Sequence, residues 1–149
     1  VYSVDAGISA FEETGAFSIE LSTTTENLPL AVAEVLAETR RLAFEPMDPG
    51  ELQRIIQSYF FDLDYSRDST FEMQVRYGWG ELMVVARDIE ADQAEAAAVD
   101  PAAIQAASAE LFAPHNLNLV AVGPWKAATR RKAEKLVDSY AKEWRVTSS

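Results

Sequence analysis

The 149-residue chain has no cysteine and a single histidine, His115. The missing thiols exclude disulfides, thiolate metal sites and cysteine nucleophiles together. One histidine excludes any H-x-x-E-H, H-E-x-x-H or other two-histidine metal site built within the chain. No G-x-S-x-G elbow accompanies a serine, and there is no P-loop or G-x-G-x-x-G. Gly78-Trp79-Gly80 lies in a helical pattern without a preceding strand. No apolar run approaches the ~20 residues that span a bilayer, and no charged-then-apolar leader runs into a small-residue cleavage site. Lysine is absent from the first 125 residues.

What is present has the size and balance of one globular domain, residues 1–149, with 48% hydrophobic and 25% charged residues. The net charge of −11 argues against a nucleic-acid partner, because such binding neutralises phosphates with Lys and Arg. Charge is unevenly spread: residues 1–125 carry about −15 and 126–149 about +4. The simplest reading is a solvated acidic body with a basic last helix. A sharper one is an acidic inner wall that draws basic peptides by focusing its field. Neither a nucleic acid nor a membrane is expected as partner. Redox compartment is not readable without cysteine, and a cytoplasmic location is expected over a periplasmic one.

The pattern of residues predicts its elements. Val1 to Ile8 reads as a strand with Tyr2, Val4, Ala6 and Ile8 on one face, and Phe17, Ile19 and Leu21 alternate in a second that pairs antiparallel with it. Asn27 is the expected cap of a helix with Pro29 in its first turn and Val32, Val35, Leu36, Thr39 and Leu42 along its buried stripe. Asp48-Pro49-Gly50-Glu51 starts another, with Leu52, Ile55, Ile56, Tyr59, Phe60 and Leu63 inward, and Ser69 with Glu72 forms a capping box for the next. That next helix should bury Phe71, Val75, Gly78, Leu82 and Val85. Gly78 and Gly80 weaken it, so backbones pack closely there or the helix bends.

A short helix is expected after Asp88 and another after Asp100-Pro101, ended before Pro114. Asn116 to Val122 reads as a third strand, and a last helix carries Ala133, Leu136, Val137, Tyr140 and Trp144. The result is an α+β fold: two layers, an antiparallel-rich sheet with helices on one face. Three strands are few for so many helices, and a first residue already inside a strand suggests a domain truncated on its N-terminal side.

Chemistry is thin. His115, between Pro114 and Asn116, reads as a turn residue before a ligand or base. Glu12-Glu13 and Asp62 with Asp64 read as solubilising groups. The aromatics Tyr59, Phe60, Phe61, Tyr65, Tyr77 and Trp79 read as packing surface first and as a peptide groove second.

Four segments in order carry a resemblance. They are VYSVDAG at the start, GAFSIELSTTTENLPLAVAEVLAETRRL, DPGELQRIIQSYFFDLDYSRDS and NLNLVAVGPW. Together the chain resembles the C-terminal homologous domain of the insulinase-like zinc peptidases, the inverzincin group that includes pitrilysin and the mitochondrial processing peptidase. In that family an Arg and a Tyr seven positions apart reach from the C-terminal domain to the catalytic site, and the Tyr matches Tyr2. The resemblance implies that Tyr2 donates a hydrogen bond to the peptide carbonyl as it becomes a tetrahedral oxyanion on zinc. The matching Arg, the H-x-x-E-H motif and its distal Glu would all lie before Val1. Zinc would therefore be held by an N-terminal peptidase domain or partner subunit, and this chain alone should be inactive, with no metal or cofactor residues of its own.

The expected function is a fragment of a zinc metalloendopeptidase acting on peptides or unfolded proteins, to which this region adds chamber wall and transition-state support. The alternative is a non-catalytic peptide-recognition or scaffold subunit of the same family; a third reading is an unrelated acidic α+β binding domain. An open strand edge and uncovered apolar sheet face should make the isolated chain a homodimer.

Overall fold

The computed structural model describes residues 1–124 and 126–147, with side chains as far as residue 144. It is mixed helix and strand, 62% helical and 11% strand. Contacts divide it into two compact units, one of Val1–Glu45 with the stretch from Ala106 on, the other Pro46–Gln105.

In the first unit, β1 (Ser3–Ala10) and β2 (Gly15–Ser22) form an antiparallel hairpin. Its turn is closed by the Phe11 amide donating to the Thr14 carbonyl at 2.8 Å. The register sets Val4 opposite Leu21, Ala6 opposite Ile19 and Ile8 opposite Phe17, so the expected apolar face is common to both strands. It is covered only along β2. Phe17, Ile19 and Leu21 are half-buried, whereas Tyr2, Val4 and Ile8 stand exposed.

Helix α1 (Leu28–Phe44) packs on α7 (Ala127–Thr147). Val32 and Leu36 meet Tyr140 in a core flanked by Leu28, Leu117, Leu136 and Trp144. Full burial of one such aliphatic side chain is worth about 1.5–3 kcal/mol, which makes this small cluster the main support of the unit. Phe44 and Phe17 extend it edge-on, Phe44 to Trp144 at 4.7 Å and Phe17 to Phe112 at 5.4 Å between ring centres.

The entry to α1 differs from expectation. Asn27 occupies the cap position but its side chain caps nothing. Thr24 takes that role from upstream, its hydroxyl accepting from the Asn27 amide at 3.3 Å and its carbonyl from the Leu28 amide at 3.1 Å.

The third strand is also corrected. Among the described residues the sheet has two strands, and 117–122 pairs with neither. It follows a single helical turn, Pro114–Asn116; Leu117 and Ala121 are half-buried, while Asn118, Leu119, Val120 and Val122 are exposed. The apolar alternation sets the pleat, but a strand needs a neighbour to donate to and accept from, and this one has none. Trp125, which ends the fourth resemblance segment, lies outside the described residues.

The second unit begins as the sequence predicts. Asp48 accepts from the Glu51 amide at 2.9 Å and Pro49 occupies the first position of α2 (Pro49–Ser66). Leu52 and Leu63 are buried; Ile55 and Tyr59, also on the expected stripe, are exposed. Helix α2 packs on α5 (Ile89–Ala97), where Ile89 is 1% exposed.

Between them, Ser69 accepts from the Glu72 amide and opens α3 (Thr70–Met73), but the backbone widens to a π-helical turn over Gln74–Trp79 before α4 (Gly80–Leu82). The stripe expected to be buried here is not: Phe71, Val75, Leu82 and Val85 are exposed. The widened turn rotates the residues after it off the period of 3.6, so a pattern read at that period no longer marks one face. Asp100 then caps α6 (Pro101–Leu111) through the Ala103 amide at 2.7 Å.

Candidate functional site

Tyr2 lies one residue before β1, its amide donating to the Ser22 carbonyl at 2.7 Å. The parity of the hairpin puts it on the same face as Val4 and Ile8, and its ring is 78% exposed. Nothing among the described residues holds the hydroxyl. The backbone is fixed by the hairpin while the side chain is free to meet a group brought from outside, an arrangement suited to contacting a ligand and of little use to a core.

On the other edge of β2 the first unit opens into a groove of about 940 Å³. Phe17, Ile19 and Leu21 line it from β2, and Leu117, Leu119 and Ala121 from the extended segment. Thr23 also lines it, and its hydroxyl oxygen is buried without a hydrogen-bond partner among the described residues. At the inner end, the Tyr140 hydroxyl donates to the Phe112 carbonyl at 2.8 Å and lies 3.4 Å from the Thr39 hydroxyl. Burial pushes the Tyr140 phenol above its ordinary range, partly offset by the Thr39 hydrogen bond and the charge of Arg40. The sequence pointed to the residues of this groove only as core and strand; the cue to a groove was the missing partner of 117–122, which no pattern reveals.

His115 is exposed in the helical turn before that segment, with no acidic or imidazole cluster around it. Among the described residues no group of three His, Asp or Glu side chains is placed to hold a metal ion. Several acidic residues of the second unit are engaged with arginines. Arg76 pairs with Asp92 at 2.6 Å, Arg67 with Glu90 at 2.7 Å and Arg87 with Glu95 at 2.7 Å. Hydrogen bonding to these arginines holds the Glu90 and Glu95 carboxyls below their usual range. Asp64 bonds Arg67 at 3.4 Å and accepts from the Gln93 side-chain amide at 3.3 Å. No helix of the described residues is long and apolar enough to cross a membrane.

Residues 1–59 match the family model for the peptidase M16 inactive domain. Those residues are thus similar to the C-terminal, inactive domain of the insulinase-like M16 peptidases. The match takes in β1, β2, α1 and the first part of α2, with Tyr2 inside it and the extended segment 117–122 beyond it. No curated protein and no solved structure matches the chain.

Proposed function

We propose that this chain is the C-terminal part of an M16 metalloendopeptidase and forms the wall of its substrate chamber opposite the metal-bearing domain. The observation that carries the reading is the M16 inactive-domain match over the hairpin that presents Tyr2. In this reading both compact units belong to one homologous domain of two layers, insulinase-like, and the zinc belongs to the N-terminal peptidase domain. The Tyr2 hydroxyl donates to the carbonyl oxygen of the scissile peptide as negative charge builds on it. A hydroxyl donor held in place by the assembled chamber is worth a factor of about 100 or more in rate.

The test is the assembled protein. Its N-terminal portion should carry an H-x-x-E-H, bind zinc and, with this region, cleave unfolded peptides. Tyr2→Phe should then lower kcat about 100-fold while leaving zinc content and the melting temperature unchanged. An N-terminal portion without the motif removes the catalytic assignment and leaves the peptide-recognition or scaffold role. Taken alone, the chain should pair with a second copy through the uncovered Tyr2, Val4 and Ile8 face; sedimentation of a monomer at high concentration would refute that pairing.

A further inference from the structure

A regular helix over Thr70–Val85 would carry Phe71, Val75, Gly78, Leu82 and Val85 at alternating spacings of four and three, the pattern of a helix seam. The second unit breaks this seam twice. In the π-helical turn the Gly80 amide reaches back five residues to the Val75 carbonyl. After Leu82 the helix closes, with the Val85 amide donating to the Gly80 carbonyl at 2.8 Å and the Val84 amide to the Glu81 carbonyl at 3.2 Å. Such a closure takes a left-handed residue at its turning point, where glycine is usual. Here that residue is Val84 at φ 57°, a conformation disfavoured roughly tenfold for a side chain of its kind.

The stretch from Leu82 to Arg87 contains neither glycine nor proline, so nothing in its composition ends the helix there. Tertiary contacts end it. Arg76, inside the π-helical turn, donates to Asp92 of α5 at 2.6 Å and to the Arg87 carbonyl at 3.3 Å. The Arg87 side chain bonds the same Asp92 at 3.3 Å and Glu95 at 2.7 Å. Residues 83–87 are thereby drawn back until Ala86 lies against Gly80, where a methyl group would stand 2.9 Å from the Ala86 Cα. Arg76 and Asp92 are 20% and 17% exposed, so solvent screens their bond little.

Both irregularities fall in one helix, both interrupt one stripe and both adjoin one group of ion pairs. The local sequence favours one conformation of this stretch and its surroundings impose another, which is the condition for an element with two arrangements. Gly78 and Gly80 are helical in either, so their cost cancels.

We propose that residues 70–87 are a latched spring: closed in the form described, and open as one α-helix from Thr70 to Val85 when Asp92 releases Arg76 and Arg87. Opening returns Val84 to the right-handed region and removes the π-helical turn. Phe71, Val75, Leu82 and Val85, exposed but out of line in the closed form, then share one face. The device is independent of the peptidase reading.

The experiment is NMR of the 149-residue chain. Relaxation dispersion should show exchange in residues 74–88 with a minor state of about 1%, whose Cα shifts at Met83, Val84 and Val85 are helical. Asp92→Asn weakens the latch and should raise that population about tenfold, while Glu95 still holds Arg87 to α5. Val84→Gly accepts the left-handed turn without strain and should lower it about tenfold. Combining the two should bring the population back near its native value. The proposal is overturned if Asp92→Asn yields no helical shifts at Met83–Val85. It is equally overturned if that variant quickens hydrogen exchange in α2 as much as in 74–88, or if Val84→Gly leaves its effect undiminished.

Discussion

The Tyr140 hydroxyl donates to the carbonyl oxygen of Phe112 at 2.8 Å, tying α7 to the residue that follows α6. Phe112 in turn meets Phe17 of β2 edge-on, so one hydrogen bond links the last helix to the sheet through a single side chain. Tyr140→Phe leaves the Phe112 carbonyl and the Thr39 hydroxyl with one partner fewer. The expected loss is about 1–2 kcal/mol in urea unfolding, without change in the slope of the transition.

The same phenol gives a pH dependence. Burial raises its pKa in the folded state above the unfolded value near 10, so folding favours the protonated form. The contribution is present in full below the unfolded pKa and is lost as pH rises through the folded one. Stability should therefore fall above pH ~10 in the native protein, and less steeply in Tyr140→Phe, as read from urea midpoints.

Gly78 and Gly80 should respond in opposite directions to alanine. A Cβ at Gly78 meets nothing closer than the Gln74 side chain at 3.9 Å, so Gly78→Ala gains helix propensity, about 1 kcal/mol at most. At Gly80 the same atom would stand 2.9 Å from the Ala86 Cα, a backbone atom that cannot swing away. Gly80→Ala should destabilise by about 1–3 kcal/mol, and the pair of midpoints in urea decides the matter.

Val84 has φ of 57°, a left-handed conformation that a β-branched residue adopts only under strain, and its side chain is 90% exposed. Removing the side chain loses little packing and relieves the strain. Val84→Gly should raise the urea midpoint, by about 1 kcal/mol in stability.

Ile89 is the anchor of the second unit at 1% exposure. Truncation to alanine should cost about 2–5 kcal/mol, and hydrogen exchange in α2 and α5 should quicken most.

Local signals were legible from the sequence where one residue determines the outcome. Asp48, Ser69 and Asp100 cap as expected because each needs only an amide three residues on. The stripes of α1 and α7 were equally plain, since both helices keep one period throughout and bury Leu36 and Tyr140 on it. Readings that depended on a distant partner failed. The stripe from Phe71 to Val85 is broken by the π-helical turn, and 117–122 has strand composition without a strand beside it. Tyr2 was singled out by resemblance alone; by composition it is an ordinary strand aromatic.

The two units also differ in how their sequence is arranged. Pro46–Gln105 is one continuous stretch, whereas the other unit joins residues on either side of it, with Val32 and Leu36 waiting for Tyr140 about a hundred positions later. Local contacts form early and distant ones must first close a long loop. During synthesis the inner unit can therefore order itself while α1 is still without its mate, and the apolar stripe of α1 remains a target for chaperones until the last helix has emerged.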